Sequence, residues 1–401
     1  MGVAIMTEIK VDNVQNAAGS GKPNFPVSPT HSAGSALSTL NTFSYTSSAT
    51  APSSPKNGAL WWDSGNDKVK VYIAGEFKEI ELNASSSSGI AWGGDRGVFA
   101  GGYGQSGATW SANIDYIDIT SAANAQDFGD LTSGRTTGAG MSNSARGVFM
   151  GGSSSAGAQN FIDYITISTT GNATDFGDCI FEVYYSAGAS DATKGYCAGG
   201  ARGAAGSYAY INNIQYVTID TAGNATDGGN LTITRTSAAG WNDATRAVVM
   251  AGTTTGGANQ NSIDYYTMST SGNATDFGDL TTTVWAIPAG AGDATYALCA
   301  GGRRSNSSNA NGWSEAIDRI TIQSTGNATD FGDLQTFKSN LAGASNGTKA
   351  TFAGGDTNNG SNIRTDQIDL VTVATPGNAT DFGNLTVGKE GFVGSTSGAA
   401  S

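Results

Sequence analysis

The string Gly-Asn-Ala-Thr-Asp-Phe-Gly-Asp-Leu, in full or in close variants, recurs with its first Asp at positions 127, 175, 227, 276, 330 and 381. A repeat of about 50 residues is a single supersecondary unit that cannot bury its own apolar face, so it must stack on copies of itself. Two further landmarks keep the same beat. A basic or polar residue, a short apolar run and a step ending in Gly-Gly span 96–102, 146–152, 194–200, 296–302 and 349–355, with 246–252 ending in Ala-Gly. An alternating segment typified by Ile-Asp-Tyr-Ile-Thr-Ile begins at Ile114, Ile162, Ile214, Ile263, Ile317 and Ile368.

Each unit reads as four short strands. The first is a Gly/Ala/Ser-rich run such as 136–141, ending at a polar turn such as Asn242-Asp243-Ala244-Thr245. The second is Arg-Gly-Val-Phe-Met, the third the Ile-Asp-Tyr segment, and the fourth the Asp-Phe-Gly-Asp-Leu piece. Alternating patterns bounded by Gly, Asn and Asp, with no helical period between them, predict an all-β fold: a six-bladed β-propeller with four-stranded blades. Gly inside a strand costs about 0.5–1 kcal/mol relative to Ala. The Gly-rich first strand therefore belongs around the central axis, where only small side chains let six backbones approach. The Phe at 128, 176, 277, 331 and 382 is the expected plug between blades. Gly228 replaces it in the third repeat, which predicts the weakest blade contact there.

The order of strand, Gly-Gly, aromatic-containing strand and short outer strand resembles the kelch layout, with Phe in place of the outer-strand Trp. The Gly-Asn-Ala-Thr-Asp-Phe-Gly-Asp-Leu and Arg-Gly-Val-Phe-x-Gly-Gly blocks resemble repeats of marine cyanophage tail-fibre-like virion structural proteins, over about residues 88–401. The segment around Gly58-Ala59-Leu60-Trp61-Trp62-Asp63, with its turn and following Val/Tyr strand, is similar to segments of phage fibre and baseplate proteins. The opening run Ile9-Lys10-Val11-Asp12-Asn13 is similar to the start of cyanophage structural proteins, where such ends dock onto the particle. The resemblance implies a bacteriophage virion protein, assembled in the host cytoplasm and exposed on the particle. It would contact other virion proteins through its N-terminal region and a host-surface glycan or protein through its propeller. A homotrimer is the association common among phage fibres, although no heptad pattern accompanies it here. The alternative is a purely structural part: head decoration, collar or fibre adaptor.

Four regions follow. Residues 1–54 read as an extended virion-attachment segment and 55–83 as a small β-meander with strands at 57–63, 69–73 and 77–80. Residues 84–89 read as a Ser-rich linker and 90–401 as the propeller. Closure of the ring has two candidate strands, because both 87–92 and 387–397 match the first strand of a blade. The C-terminal copy is favoured, since it would join first and last blades non-covalently.

Alternating strand direction puts the loops between second and third strands on one face with those between blades. These loops, 103–113, 153–160, 201–213, 253–262, 303–316 and 356–367, vary most in length and chemistry, as binding loops on a rigid scaffold do. Within them Trp110, Tyr208, Tyr210 and Trp313 can stack on sugar rings, and Arg202, Arg303, Arg304 and Arg364 can pair with carboxylate or phosphate groups of a glycan. Val183-Tyr184-Tyr185 and Val284-Trp285 interrupt the basic position that opens other blades. They either line the central mouth of this face or fill space between blades.

Composition argues against several other classes. A net charge of -13 leaves no basic footprint for nucleic acid. His31, the single His, lies outside the repeats, which removes a Ser-His-Asp or Cys-His device from them. The repeated Asp residues suit turn hydrogen bonding better than a unique acid and base, and the Ser-x-Asp-x-Gly-x-x-Trp boxes of sialidases are absent. No enzyme activity is expected. Cys179, Cys197 and Cys299 lack metal or disulfide spacing and read as small buried hydrophobes. No metal or cofactor is expected, no secretory signal is evident, and no run is long enough to span a membrane.

Overall fold

Small side chains packed around an axis and apolar Val, Ile and Phe on the strands behind them sort the chain into layers. The computed structural model describes residues 15–16, 23–24, 45–48, 50–54, 59–63, 68–73, 76–79, 94–104, 109–191, 193–203, 208–305, 307, 312–357 and 363–398. Among them every regular element is a strand. Contacts divide the chain into two units, Met1–Ala84 and Ser85–Ser401.

The second unit is a six-bladed β-propeller. Blade 2 shows the pattern: Ala139–Ser142, Arg146–Met150, Phe161–Thr166 and Thr174–Asp178 pair antiparallel in chain order, from the inner strand outward. Inner strands Ala187–Ser190, Ala239–Asn242, Ala289–Gly292 and Ala342–Ser345 open blades 3 to 6. Blade 1 draws its second, third and outer strands from Arg96–Ala100, Asn113–Asp118 and Gln126–Asp130. Its inner strand is Gly394–Gly398, which pairs antiparallel with Arg96–Ala100 from Gly394↔Ala100 to Gly398↔Arg96. The chain end thus closes the ring. The competing segment 87–92 lies outside the described residues.

The inner strands show why they are Gly-rich. A Cβ on Gly188 would sit 2.2 Å from the Gly140 carbonyl oxygen, and one on Gly240 2.2 Å from that of Gly188. The same contact links Gly290 to Gly240 at 2.1 Å and Gly343 to Gly290 at 2.4 Å. No real side chain fits at such separations. The central channel that remains holds a cavity of about 110 Å³, lined by the inner strands. That is space for a few waters.

The signature motif is a clasp between blades. In blade 2, Asn172 Oδ1 accepts from the backbone N–H of Asp130, on the outer strand of blade 1, at 3.0 Å. The flanking N–H groups of Gly171 and Ala173 donate to Phe128 O and Asp130 O, both at 2.7 Å. Asn224, Asn273, Asn327 and Asn378 repeat the side-chain bond at 3.0, 3.1, 3.1 and 3.1 Å, and Asn124 closes the circle on Asn384 at 3.0 Å. The glycine of the Phe-Gly step is obligatory: Gly129 has φ +142° and a Cβ there would lie 2.5 Å from Gly171 backbone.

The beat of basic residues also has a structural cause. Arg96, Arg146, Lys194 and Arg246 lie over Tyr116, Tyr164, Tyr216 and Tyr265 at 4.8, 4.4, 4.5 and 4.3 Å. Blade 5 exchanges the two, with Arg319 over Tyr296 at 4.5 Å. Arg96 Nη1 also donates to Ile167 O in blade 2, and Arg146 Nη1 to Ile219 O in blade 3, both at 2.9 Å.

Beneath the loops lies a set of buried ion pairs that spacing alone did not reveal. The Asp of the third strand, expected in turn bonding, instead meets a buried cation. Arg135–Asp163, Arg235–Asp264, Lys338–Asp369 and Lys389–Asp115 are 2.7, 2.9, 2.9 and 2.9 Å apart with side chains essentially sealed from solvent. A Thr hydroxyl joins in three of these blades, as Thr132 Oγ1 donates to Asp163 Oδ1 at 2.6 Å. In blade 3 both partners change together, to Val183 and Gln215, and Gln215 Oε1 accepts from Ile180 N–H at 2.9 Å.

Phe128, Phe176, Phe277, Phe331 and Phe382 are buried between neighbouring blades, and each contributes roughly 1.5–3 kcal/mol through burial. At Gly228 a Cβ would lie 3.1–3.3 Å from Ile214 and Tyr216. In the same cluster Tyr196 and Tyr266 meet at a tilt of 59° with centroids 5.6 Å apart, and the Tyr196 hydroxyl donates to Met268 O.

The three cysteines are buried, free and apolar in setting. Burial pushes the Cys197 thiol up to about 11 and the Cys299 thiol up to about 12. Since the thiolate is the reactive species, an aromatic disulfide reagent at pH 8 is expected to titrate no thiol in the native protein and all three in denaturant. Rapid reaction of a native thiol would contradict this packing.

The first unit contains a four-stranded sheet. Leu60–Asp63, Lys68–Ile73 and Glu76–Glu79 form the antiparallel meander, and Tyr72 meets Phe77 edge-on at 5.1 Å. A fourth strand, Tyr45–Ser48, adds parallel to Leu60–Asp63. It comes from residues read above as extended attachment segment. Gln15–Asn16 and Pro23–Asn24 form a separate short pair. The linker at 84–89 lies outside the described residues.

Candidate functional site

Because repeated side chains are occupied with clasps, cation–π contacts and ion pairs, chemistry free for a ligand must come from positions that differ between blades. Two such rows face each other around the channel mouth. Residues just after the Gly-Gly step pair with residues just before the inner strand: Glu390↔Tyr103, Thr136↔Ser153, Tyr184↔Ala201, Thr236↔Thr253, Trp285↔Arg303 and Ser339↔Asp356.

Inside them runs a belt in the left-handed backbone region. Thr137, Tyr185, Ser237, Ile287, Asn340 and Gly391 have φ between 46° and 61°. Tyr185 N–H donates to Thr137 O at 2.5 Å, Ser237 N–H to Tyr185 O at 2.9 Å, and Asn340 N–H to Ile287 O at 3.0 Å. Gly391 N–H donates to Asn340 O and Thr137 N–H to Gly391 O, both at 2.8 Å. Strain at non-Gly residues in this region costs of order 1–3 kcal/mol each; here neighbouring blades hold it in place.

The expected binding residues fall into groups with different fates. Arg304 is not available to a surface ligand. It is 1% exposed, and its guanidinium lies 2.8 Å from Asp318. Blade 5 has Val284 where blades 1, 2, 4 and 6 carry the buried cation, and Arg304 reaches in from the loop to supply it. Trp313 is 6% exposed and lies under the Arg303 guanidinium at 3.6 Å, so its face is already covered. Arg364 is paired with Glu390 at 2.9 Å and stacked over Tyr103 at 4.5 Å. Trp110 is 39% exposed and meets Tyr103 edge-on at 5.5 Å.

On blade 3, Tyr208 is 54% exposed and its ring packs on Tyr184 at 5.8 Å. Tyr184 is buried against Tyr185, 4.8 Å away, whereas Tyr185 is 36% exposed at the mouth. Tyr210 is half-buried, and Arg202 is exposed with its guanidinium 5.2 Å from the Phe181 ring. Of the two interrupting segments, Val183 and Val284 fill space between blades and Tyr185 lines the mouth.

No protein-family model and no curated protein matches this chain.

Sequence reasoning missed Glu390, Asp356 and Asn340. Glu390 Oε1 accepts from Arg364 Nε and Oε2 from Asn340 Nδ2, both at 2.9 Å. Burial, reinforced by Glu390, raises the Asp356 carboxyl above the usual carboxylate range, against the pull of Arg303 and Arg364. Burial also raises the Tyr185 phenol, with smaller contributions from Tyr208 and Glu390. The signal that would have found these residues was positional. Each occupies a slot that varies while its neighbours keep the beat. Among the described residues no cluster of His, Cys, Asp and Glu is arranged to hold a metal ion.

Proposed function

We propose that the chain is a phage virion appendage protein, of tail-fibre or spike type, whose propeller binds a host-surface glycan through the rim of the channel mouth. The observation that carries this reading is a division of labour. Repeated side chains are engaged in holding blades together, whereas the non-repeated ones collect exposed Tyr185, Tyr208 and Trp110 beside an oriented carboxylate on one face. Aromatic faces combined with a few fixed polar groups are the general composition of sugar-binding surfaces. The virion context is supported by the likeness of the repeats and of the N-terminal segments to cyanophage structural proteins. The reading is one of binding without turnover.

The full-length protein, fluorescently labelled, is to be titrated onto a panel of bacterial strains that includes cyanobacteria. Saturable binding at or below micromolar concentration to some strains is expected, with competition against phage adsorption on those strains. Absence of binding to every strain would leave the architectural alternative, and antibody labelling confined to capsid or collar would establish it.

A further inference from the structure

We infer that the rim over blade 2 is a subsite for an uncharged pyranose, seated between the tyrosines of blade 3 and the Glu390 carboxylate. The inference rests on the receptor-binding reading and narrows its ligand class. Blade 2 has the shortest of the six variable loops, 153–160, which opens on the half-buried Ser153 and Ser154, paired beside the buried Thr136 and Thr137. Its neighbours carry the bulk, with Tyr185 and Tyr208 on one side and Tyr103 with Trp110 on the other.

The backbone belt sets the order around the mouth. Tyr185 bonds to Thr137, Thr137 to Gly391, and Glu390 precedes Gly391 in the chain. Thus one aromatic wall and one acid wall flank a low step on a rigid, hydrogen-bonded frame. Glu390 also acts on the Tyr185 phenol across that step.

The chemistry selects a neutral sugar. Each oxygen of Glu390 accepts one bond from a protein donor, which fixes the carboxylate plane and leaves further lone pairs for hydroxyl donors. A pyranose offers such donors at its edge and an apolar C–H face for an aromatic ring. An anionic sugar would meet Glu390 and Asp356, and two of the four loop arginines are already committed to protein carboxylates, while Arg202 and Arg303 lie over the Phe181 and Trp313 rings. Arg304 is held by Asp318 and Arg364 by Glu390.

The test uses full-length protein on an array of neutral, uronate-, sialyl- and sulfate-bearing oligosaccharides, followed by calorimetric titration of the strongest neutral hit. Glu390→Gln and Tyr185→Asn are compared with wild type after confirming matching unfolding midpoints; Asn tolerates the left-handed backbone. Neutral sugars are expected to dominate the array. Each substitution is expected to weaken binding about tenfold, as loss of a stacking or charge-assisted contact would. Preference for anionic sugars, or weakening below about threefold in both variants, overturns the subsite. Binding to cells without binding to any arrayed sugar also overturns it while leaving the appendage reading intact. Silence in both assays removes both.

Discussion

Replacing Arg135 by Val is expected to destabilise the propeller by about 3–5 kcal/mol, whereas the double substitution Arg135→Val with Asp163→Gln is expected to recover most of that loss. The guanidinium donates to Asp163 at 2.7 Å and to Gly151 O at 2.8 Å in a fully buried setting. Removing it strands a carboxylate away from water, and that uncompensated charge, rather than the lost attraction, accounts for most of the cost. Blade 3 already contains the proposed double substitution, since Val183 and Gln215 occupy the two positions without a charge. Blade 5 makes the converse case. It retains Asp318 but has Val284, and Arg304 arrives from a loop to pair with the acid. Denaturant unfolding of the three proteins reads the result directly. Equal losses in the single and double variants would show that the pair is not the unit of stability.

Deleting residues 394–401 is expected to abolish cooperative folding. The segment Gly394–Gly398 is the inner strand of blade 1, with Ser395 Oγ donating to Gly343 O in blade 6 at 2.6 Å. Ser142 Oγ of blade 2 donates in turn to Ser397 O at 2.9 Å. Its loss would uncover the fully buried Val98, Phe99 and Ala100 and leave Arg96–Ala100 as an open edge, which is a template for aggregation. Lys389 is retained by this truncation, so its pair with Asp115 is not removed by the deletion itself. The expected product is aggregated or protease-sensitive under conditions where the intact chain is soluble. A monomeric truncated protein with an unchanged thermal transition would show that the ring does not depend on closure by the chain end.

What could be read from the residues was whatever repeats along the chain. Periodicity, Gly-bounded alternating runs and the crowding implied by Gly140, Gly188 and Gly240 were enough for six four-stranded blades, because these are local properties echoed six times. The buried position of Cys197 and Cys299 was legible for the same reason. The identity of a partner across space was not. Asp163 looks like any other Asp until folding sets it against Arg135. Likewise Arg304, in sequence a loop arginine suited to an anionic ligand, turns out to be the replacement for a missing core cation.

The amino-acid order by itself therefore determined the class of fold, the number of blades and the face on which variation gathers. Only the tertiary structure decided which of the varying side chains are spent on the protein and which remain exposed. The reason is physical: strand formation and turn chemistry depend on neighbours within a few residues, whereas the charge state, burial and freedom of a side chain depend on groups brought together by the ring. Glu390 and Tyr185, far apart in the chain, came onto one rim through Thr137, whose carbonyl accepts from Tyr185 N–H and whose N–H donates to Gly391 O.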